Sequence, residues 1–384
     1  MTNVLPDLNS RTESSRKTRY QFTSESVSEG HPDKVCDYIA DSILDAYLTS
    51  DPRSRVACEA LCKHDTVVLG GEITSKAELD HEGTVRQAMR EIGYTDTSAA
   101  FNANLVRVTK ILTKQSPDIA KGVDTETNAD QEQGAGDQGI MFGYASAETP
   151  ELMPLPILLA HQLTRGMAQD RKDGKHIWLR PDSKSQVCVL YEDNEPSLVT
   201  DVLVSTQHTS DVKQGDIAEY VRTALAPRVL GKWFHQDIRF RVNPTGSFVH
   251  GGPSADCGVT GRKIIADTYG GAAHHGGGSF SGKDPSKVDR SAAYFCRYVA
   301  RQIVKAGIAL RAEIQVAYAI GVAKPFSVRV NTFGTGDGHA AADLVRTFDF
   351  RPAAIIERLD LLRPIYRQTT NYGHFGKPGL PWES

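Results

Sequence analysis

The chain has 384 residues, of which 40% are hydrophobic and 24% charged, and its net charge at pH 7 is −3. This is the composition of an ordinary globular protein, and the length allows two or three domains. The small net charge excludes the global basic field that is typical of nucleic-acid-binding proteins. There is no apolar run of about 18 residues, so the sequence predicts no transmembrane helix.

The N-terminal residues and the cysteines bear on the cellular compartment of the protein. Residues 1–19 are polar and basic without an apolar core segment, so we expect a disordered extension and no secretory signal. The six cysteines form no C-x-x-C pair and are scattered along the chain. Scattered cysteines in a chain of this size favour a reducing compartment, and we expect the protein to be cytoplasmic.

The first third of the chain predicts a helix, a hairpin and a second helix. Apolar residues recur at helical spacing over 31–48, and Pro32 suits a first helical turn. Residues 55–62 and 66–73 are typical of two strands joined by a tight turn, and a helix is expected at about 79–92. Residues 116–139 are polar and rich in glycine, which indicates a long functional loop.

The same alternation of hairpins and helices continues to the C-terminus. Helices are predicted near 156–170, 215–229, 288–306, 340–348 and 353–359. Strands are predicted at 186–191, 198–206, 238–242, 312–320 and 326–333. Hairpins followed by helices recur about three times, so we predict an α+β fold of three similarly built units, although no literal sequence repeat is visible.

Residues 270–290, GGAAHHGGGSFSGKDPSKVDR, are the most informative stretch for function. Its glycines allow backbone N–H groups to approach an anion, its two lysines add positive charge, and Asp284 and Asp289 could hold a cation against that anion. A flexible loop is the ordinary alternative. Gly277, Gly282 and Lys283 fit the Walker pattern G-x4-G-K, but no Ser or Thr follows, so we do not expect a P-loop.

Other short segments combine glycines with charged side chains. His31 and Asp33 lie at the start of the first predicted helix, where free N–H groups favour anions. Each segment also has an ordinary explanation, such as a helix cap, a tight turn, a solvated lysine or a packed aromatic. The remaining candidates in these segments are Glu59, Glu72, Asp137, Asp182, Lys184, Phe248, Asp256, Arg262 and Lys263. Together they suggest a site for a metal-bound polyphosphate assembled from distant segments.

Longer motifs then make the chain recognisable. It resembles the S-adenosylmethionine synthetases, or methionine adenosyltransferases, over about residues 21 to 383. The motifs that carry the resemblance are FTSESVSEGHPDK (22–34), GGEIT (70–74), KQSPDI (114–119), GAGDQG (134–139), WLRPDSKSQV (178–187), STQH (205–208), GGGSFSGKDPSKVDRSAAY (276–294), YAIGVA (318–323) and YGHFG (372–376). Chance agreement at all of these positions is not credible.

The resemblance implies a fold, a reaction and an assembly. The fold is three structurally similar α+β domains around a pseudo-threefold axis, here 20–118, 134–252 and 253–384, with a gating-loop region and linker at 119–133. The reaction joins ATP and L-methionine: the methionine sulfur attacks ribose C5′, and the displaced tripolyphosphate is hydrolysed to phosphate and diphosphate. The assembly is a homodimer or a dimer of dimers, such as a homotetramer, with active sites between subunits.

The resemblance also implies roles for individual residues. The residues it places in catalysis are His31, Lys184, Asp256, Arg262 and Lys283. Those it places around ATP are His31, Asp137, Asp182, Lys184, Ser247, Phe248, Asp256, Arg262, Lys263, Ser279 and Lys283, with Phe248 stacked on adenine. Those it places around methionine are Glu72, Gln115, Asp256 and Lys287. It implies Mg²⁺ ligands at Asp33 and Asp289, with two Mg²⁺ ions per site, and a K⁺ position at Glu59.

Some positions depart from the usual family pattern. Ser247 stands where the family usually has Arg, and His250 stands where an apolar residue is usual. The loop after Val123 is about two residues longer than in close relatives. Two other functions compete with the enzyme: a phosphotransferase, disfavoured by the missing Walker Ser or Thr, and a catalytically silent nucleotide-binding subunit, disfavoured because His31, Lys184 and Asp289 are present.

Overall fold

The coordinates are a computed structural model that describes residues 18–114 and 132–384. Most of the predicted N-terminal extension (1–17) and the predicted gating loop, with the methionine-site candidate Gln115, lie outside the described residues. Within the described ranges, no helix is long and apolar enough to cross a membrane.

Strands and helices alternate along the described chain. The strands are β1 (Arg19–Val27), β2 (Arg55–Lys63), β3 (Thr66–Thr74), β4 (Arg107–Thr113), β5 (Gly139–Ser146), β6 (Leu179–Glu192), β7 (Glu195–His208), β8 (Arg239–Val242), β9 (Gly258–Val259), β10 (Arg311–Tyr318) and β11 (Ser327–Asn331). The helices are α1 (Pro32–Ser50), α2 (His81–Ile92), α3 (Leu155–Lys172), α4 (Gln214–Tyr220), α5 (Ala226–Leu230), α6 (Ile264–Asp267), α7 (Val288–Lys305), α8 (Gly338–Arg346) and α9 (Pro352–Arg358).

The strands form three sheets, and each sheet is covered by one long helix. The first sheet has the order β1-β6-β7-β8, the second β11-β10-β5 and the third β4-β3-β2-β9. Helix α3 packs on β1 and β6, α7 packs on β5 and β10, and α1 packs on β2. These three sheet-and-helix units confirm the predicted α+β fold of three similar parts.

Buried side chains join the units into one molecule. One apolar cluster fills the space between α3 and the first sheet. A larger cluster is shared by α1, α7 and the other two sheets, and it includes the fully buried Trp382 near the C-terminus. Helices α1 and α7 are joined by a buried ion pair between Asp41 and Arg290, which links the middle of α1 to the N-terminal end of α7.

Each of the three sheets includes a strand from a distant part of the chain. Strand β1 pairs antiparallel with β6, with Val27 opposite Lys184, and β5 pairs antiparallel with β10. The short strand β9 also joins β2, where Val259 lies opposite Leu61. The sheets are thus not contiguous in sequence, and the domain boundaries drawn at 118, 134 and 252 stay a prediction.

The structure differs from the predicted elements in a few places. Strands β1, β4 and β5 were not predicted, and β6 and β7 are longer than the predicted hairpin. The predicted helix at 215–229 is interrupted, because Val221–Leu225 forms a π-helical turn between α4 and α5. The apolar residues Ile264 and Ile265 lie in the short helix α6, so no strand precedes the Walker-like segment.

Candidate active site

The N-terminus of α1 holds the first candidate residues. His31 is the N-cap of α1 and Pro32 is its first residue, a position where the missing N–H of proline costs nothing. The backbone N–H of Asp33 donates to Nδ1 of His31 at 3.2 Å. Because Nδ1 accepts this hydrogen bond, the neutral imidazole carries its proton on Nε2.

The His31 ring is held neutral by its surroundings. Burial, together with the positive charges of Lys263 and Lys184, lowers the pKa of His31 to about 3, although Asp33 opposes them. His31 is therefore a neutral hydrogen-bond donor at physiological pH. Lys184 and Lys263, from different segments, thus both lie close enough to His31 to act on its charge.

Asp33 connects α1 to the segment 258–263. Its carboxylate accepts the N–H of Val259 at 3.0 Å and the ammonium of Lys263 at 2.6 Å, and a guanidinium nitrogen of Arg262 lies 3.7 Å away. Burial raises the pKa of Asp33, but the hydrogen bonds from Lys263 and Val259 outweigh it and lower the pKa overall. Asp33 is thus an ionised carboxylate between two cations.

Strand β6 carries two further candidates, Asp182 and Lys184. Asp182 is buried, and one of its carboxylate oxygens accepts the N–H of Gly252 at 2.8 Å. Its other oxygen, Oδ1, is buried with no hydrogen-bond partner in the described structure. Burial raises the pKa of Asp182 to about 6, and this is opposed by the Gly252 N–H and Lys184. Lys184 is exposed on the open face of the sheet.

Three further ATP-site candidates lie on the turns beside these residues. Asp256 is exposed and its carboxylate accepts the N–H of Cys257 at 2.8 Å. Phe248 is half-buried, and its N–H donates to the His208 ring at 3.0 Å. Ser247 is exposed next to it. We use the name His31 group for seven of the charged and polar residues described so far: His31, Asp33, Asp182, Lys184, Asp256, Arg262 and Lys263.

A second set of candidates surrounds a pocket on β2 and β3. Glu59, Glu72 and Lys283 line a cavity of about 310 Å³ together with Gly70 and Gly71. The two glutamates are exposed and lie on neighbouring strands, since Glu59 pairs with Gly70 and Ala57 pairs with Glu72. The backbone of Lys283 joins the edge of this pocket through a bridge to Ala57.

The lysines of the glycine-rich segment each contact a carboxylate. The Lys283 ammonium lies 2.6 Å from Asp289, and the Lys287 ammonium lies 2.5 Å from Asp284. Gly278 has no side chain where Asp289 approaches, because a Cβ there would lie 2.2 Å from a carboxylate oxygen. We refer to Glu59, Glu72, Lys283, Lys287 and Asp289 as the Lys283 group.

Asp284, the other carboxylate that the sequence suggested could hold a cation, is engaged by internal groups. Asp284 is buried, and its carboxylate accepts N–H groups of Val56 at 2.7 Å and Ser286 at 2.9 Å besides the Lys287 ammonium. Burial raises its pKa, but Lys287 and Arg55 outweigh this and lower it. Its oxygens are thus committed inside the protein, where they fix the course of the loop that carries Lys287.

Two remaining candidates, Ser279 and Asp137, lie on segments next to these residues. Ser279 packs against Gly261, at a point where a Cβ on Gly261 would lie 2.5 Å from the Ser279 Cβ. Asp137 is exposed on the segment that approaches the Lys283 group, since the N–H of Gly136 donates to the Ser286 carbonyl at 3.3 Å. Within residues 18–114 and 132–384, no three His, Cys, Asp or Glu side chains come together as a metal site.

Sequence reasoning missed the buried charges that support the site. Lys34 is fully buried next to Asp33, and its ammonium lies 2.5 Å from Asp267 and 3.0 Å from Asp37. A solvated lysine was the ordinary alternative for this helix start, but Lys34 is only 2% exposed. The sequence does contain a signal for these buried charges: three further aspartates follow Asp33 on α1 at a spacing of four residues.

The fold is that of a three-unit α+β protein, and its two groups of cations and carboxylates suit a polyphosphate ligand. Models of the N-terminal, central and C-terminal domains of S-adenosylmethionine synthetase match residues 19–117, 132–248 and 250–384. The chain is 56% identical over 378 residues to the S-adenosylmethionine synthase of Akkermansia muciniphila, with 96% of each chain covered. It is 54% identical over 369 residues to that of Sorangium cellulosum, covering 95% of this chain and 87% of the relative.

The chain therefore belongs to the S-adenosylmethionine synthetase family, and the resemblance inferred from the motifs is confirmed. It is a methionine adenosyltransferase, a transferase that makes S-adenosylmethionine from ATP and methionine. Family membership also makes it a metal-dependent enzyme.

Proposed function

We propose that the His31 group and the Lys283 group together bind ATP and methionine for S-adenosylmethionine synthesis. The observation that carries this proposal is the convergence of Lys184, Lys263 and Asp33 on the neutral His31 at the N-terminus of α1. Cations from separate segments, placed beside a helix N-terminus, are what a triphosphate needs.

The reaction places two demands on these residues. The methionine sulfur forms a bond to ribose C5′ while the C5′–O bond breaks, and the electron pair leaves on the tripolyphosphate. Because sulfur is itself the nucleophile, the protein has to align the reactants and stabilise the charge that grows on the leaving oxygen. His31 Nε2–H donates to that oxygen, and Lys184, Arg262, Lys263 and Lys283 neutralise the tripolyphosphate before its hydrolysis to phosphate and diphosphate.

The nucleoside and methionine sites follow from the same geometry. Asp182 Oδ1 is a buried acceptor without a partner among the described residues, so a hydroxyl or amino donor of the nucleotide would satisfy it. Phe248 offers a ring for the adenine, flanked by Ser247, while Asp137 and Ser279 contact the nucleotide from the neighbouring segment. Glu72, Asp256 and Lys287 bind methionine, whose ammonium and carboxylate need opposite charges.

The residues present also fit the two cations. Mg²⁺ is usually held by one or two carboxylates together with phosphate oxygens, so Asp33 and Asp289 suit it without a cluster of three protein ligands. Mg²⁺ supplies neutralisation of phosphate charge. Glu59, exposed beside the glycines of β3, is the proposed K⁺ position. The free thiols of the cysteines support the proposed cytoplasmic location.

The exposed faces of the sheets support self-association. Strand residues alternate between a face packed on a helix and an exposed face; the exposed face of β2 carries Glu59, and that of β6, in a different sheet, carries Lys184. The sheet of β2 also exposes apolar side chains, including Ile111 of β4 at 64%. Exposed apolar residues on a sheet indicate a partner surface. We propose a homodimer, or a dimer of dimers, in which the His31 group of one chain faces the Lys283 group of its partner.

A complementation experiment tests this arrangement. Lys184→Ala and Asp289→Asn are each inactive alone, because each removes a charge from one half of the site. When equal amounts are unfolded and refolded together, half of the dimers are mixed and each has one intact site, so about one quarter of the activity returns. A mixture that stays inactive, with both variants folded, would show that the groups serve the same site within one chain.

A further inference from the structure

Four aspartates follow one face of α1 at a spacing of four residues, and each carboxylate accepts a backbone N–H from another segment. We call Asp33, Asp37, Asp41 and Asp45 the aspartate row. The N–H donors and distances are Val259 to Asp33 at 3.0 Å, Gly261 to Asp37 at 2.9 Å, Gly282 to Asp41 at 2.8 Å, and Tyr366 and Arg367 to Asp45 at 3.0 and 2.8 Å. The row thus connects α1 to three separate loops.

Four carboxylates in a row reduce the stability of a helix. Residues four apart lie one above the other on a helix surface, and like charges at this spacing destabilise it. Asp33, Asp37 and Asp41 are buried, where an unpaired carboxylate is strongly disfavoured. Cations offset the cost: Lys34 lies 3.0 Å from Asp37, and Arg290 lies 2.6 and 2.7 Å from the two oxygens of Asp41.

Asp37 controls the loop that carries two of the proposed triphosphate contacts. Its N–H donor, Gly261, directly precedes Arg262 and Lys263. Gly261 has a φ of +78°, a conformation that only glycine adopts without strain. The carboxylate of Asp37 therefore fixes an unusual turn, and with it the direction in which both cationic side chains leave the backbone.

Asp41 does the same for the second loop. It accepts the N–H of Gly282, which directly precedes Lys283 and has a φ of +80°. The carbonyl of Gly282 in turn accepts the N–H of Cys58 at 3.0 Å, and the guanidinium of Arg290 donates to the Lys283 carbonyl at 3.2 Å. Hydrogen bonds to Asp37 and Asp41 thus fix the positions of both cationic loops relative to helix α1.

We propose that Asp37 and Asp41 are positioning residues for the reaction: Asp37 fixes the Arg262–Lys263 loop relative to His31 at the N-terminus of α1, and Asp41 fixes the Lys283 loop that the same chain contributes to the site shared with its partner. This inference rests on the proposed function, because it gives the two loops their role as triphosphate contacts. Asp45 has the same chemistry but holds Tyr366 and Arg367, which are not part of the proposed site. It is therefore an internal control.

The test compares Asp37→Ala with Asp45→Ala in the full-length enzyme. The readouts are the dissociation constant of tripolyphosphate by calorimetry and the kcat for S-adenosylmethionine formation. Asp37→Ala is expected to weaken tripolyphosphate binding and to lower kcat on the order of 10²-fold, because misplaced charges lose their alignment with the leaving group. Asp45→Ala lowers the melting temperature but leaves both readouts unchanged.

A rescue variant separates positioning from a loss of stability. Asp37→Asn keeps an oxygen that accepts the Gly261 N–H, so it is expected to recover the larger part of tripolyphosphate binding. If Asp37→Ala and Asp45→Ala change binding equally, the row is only structural and the proposal is wrong. Tripolyphosphate binding by Lys263→Ala is measured in parallel. If this variant binds tripolyphosphate as the wild type does, the loop does not contact the triphosphate, and the proposed function is wrong independently of the role of the aspartate row.

A measurement on the unaltered enzyme keeps the proposal testable if Asp37→Ala does not fold. Hydrogen exchange at the amides of Gly261 and Gly282 is expected to be slow in the absence of ligands, because both N–H groups donate to buried carboxylates. Exchange of these two amides as fast as that of the exposed loop residue Gly246 would overturn the proposal.

Discussion

Gly261 and Ser279 lie so close that a Cβ added to Gly261 would be 2.5 Å from the Ser279 Cβ. This contact joins the Arg262–Lys263 loop to the segment that leads to Lys283. The site therefore depends on a glycine at position 261 for two reasons: the approach of Ser279 and the φ of +78°.

The first prediction follows from that contact. Gly261→Ala is expected to lower kcat strongly, because the added methyl group pushes the two loops apart. Gly334→Ala is the matched control, since Gly334 has a φ of +70° but nothing within 4 Å of its Cβ position. Both variants carry backbone strain of about 1–2 kcal/mol, and only Gly261→Ala should lose activity at a temperature where both are folded. Equal kcat values would contradict the close fit proposed for the loops.

Removal of the Lys184 charge should lower the rate of the chemical step and leave the stability of the fold unchanged. Lys184 is exposed on its sheet and acts on His31 from a separate strand. Lys184→Ala is expected to lower kcat on the order of 10²–10³-fold, the range seen when one preorganised charge is removed from a transition state. Steady-state kinetics and thermal denaturation check this. Lys305→Ala, an exposed lysine at the end of α7, should change neither; near-normal turnover of Lys184→Ala would argue against the assignment.

Asp289 should determine the response to magnesium. Asp289→Asn is expected to raise the Mg²⁺ concentration needed for half-maximal activity and to lower the maximum, because a neutral amide is a weaker ligand for a hard cation. The measurement is activity against Mg²⁺ concentration. Asp343→Asn, at an exposed carboxylate paired with Arg346, provides the control. An unchanged Mg²⁺ dependence in Asp289→Asn would remove Asp289 from the proposed metal ligands.

The unusual Ser247 should affect nucleotide binding more than the chemical step. Position 247 adjoins Phe248, the proposed adenine platform, whereas the phosphate contacts come from other segments. An arginine there would contact ATP equally before and during the reaction, and such uniform binding changes KM with little effect on kcat. Kinetics of Ser247→Arg with ATP varied test this. A large change in kcat at constant KM would place position 247 near the triphosphate instead.

The outer end of the aspartate row should make stability depend on pH. Burial raises the pKa of Asp45 from 3.8 to about 6, although the Arg367 N–H opposes it. Between these two values the folded state keeps a proton that the unfolded state has released, so the stability of the wild type falls as the pH rises through this window.

Denaturation of Asp45→Asn and wild type at several pH values measures this effect. The free energy of unfolding of the wild type, relative to Asp45→Asn, should decrease as the pH rises to about 6 and stay constant above it. Asp237→Asn, at a side chain that is 99% exposed, should show no such trend. A difference between wild type and Asp45→Asn that is the same at every pH would show that Asp45 is ionised throughout.

The elements with a strong apolar period were predictable from the sequence. Helix α7 was expected at 288–306 and spans Val288–Lys305. Strands β1, β4 and β5 were missed because their partners are distant: β1 pairs with β6, and β5 with β10. Pairing of this kind is decided by the tertiary structure, which an isolated window of sequence does not contain.

The site was predictable where glycines stand beside charges, and less so where charges are buried. Glu59, Glu72 and Lys283 share one cavity although they come from different segments. Asp284 belongs to the same glycine-rich stretch, but its carboxylate is used internally. The aspartate row was missed because acidic residues on a helix usually face water, and only the packing of α1 at the centre of the molecule buries them.

The central claim is that this chain converts ATP and methionine to S-adenosylmethionine with the charges gathered around His31. Mass spectrometry of the products made by the purified enzyme with ATP, methionine, Mg²⁺ and K⁺ tests it most directly, with Lys184→Ala and Lys305→Ala assayed beside the wild type. We expect S-adenosylmethionine, phosphate and diphosphate in equal amounts from the wild type and Lys305→Ala, and almost none from Lys184→Ala. Hydrolysis of ATP without S-adenosylmethionine, or full synthesis by Lys184→Ala, would contradict it.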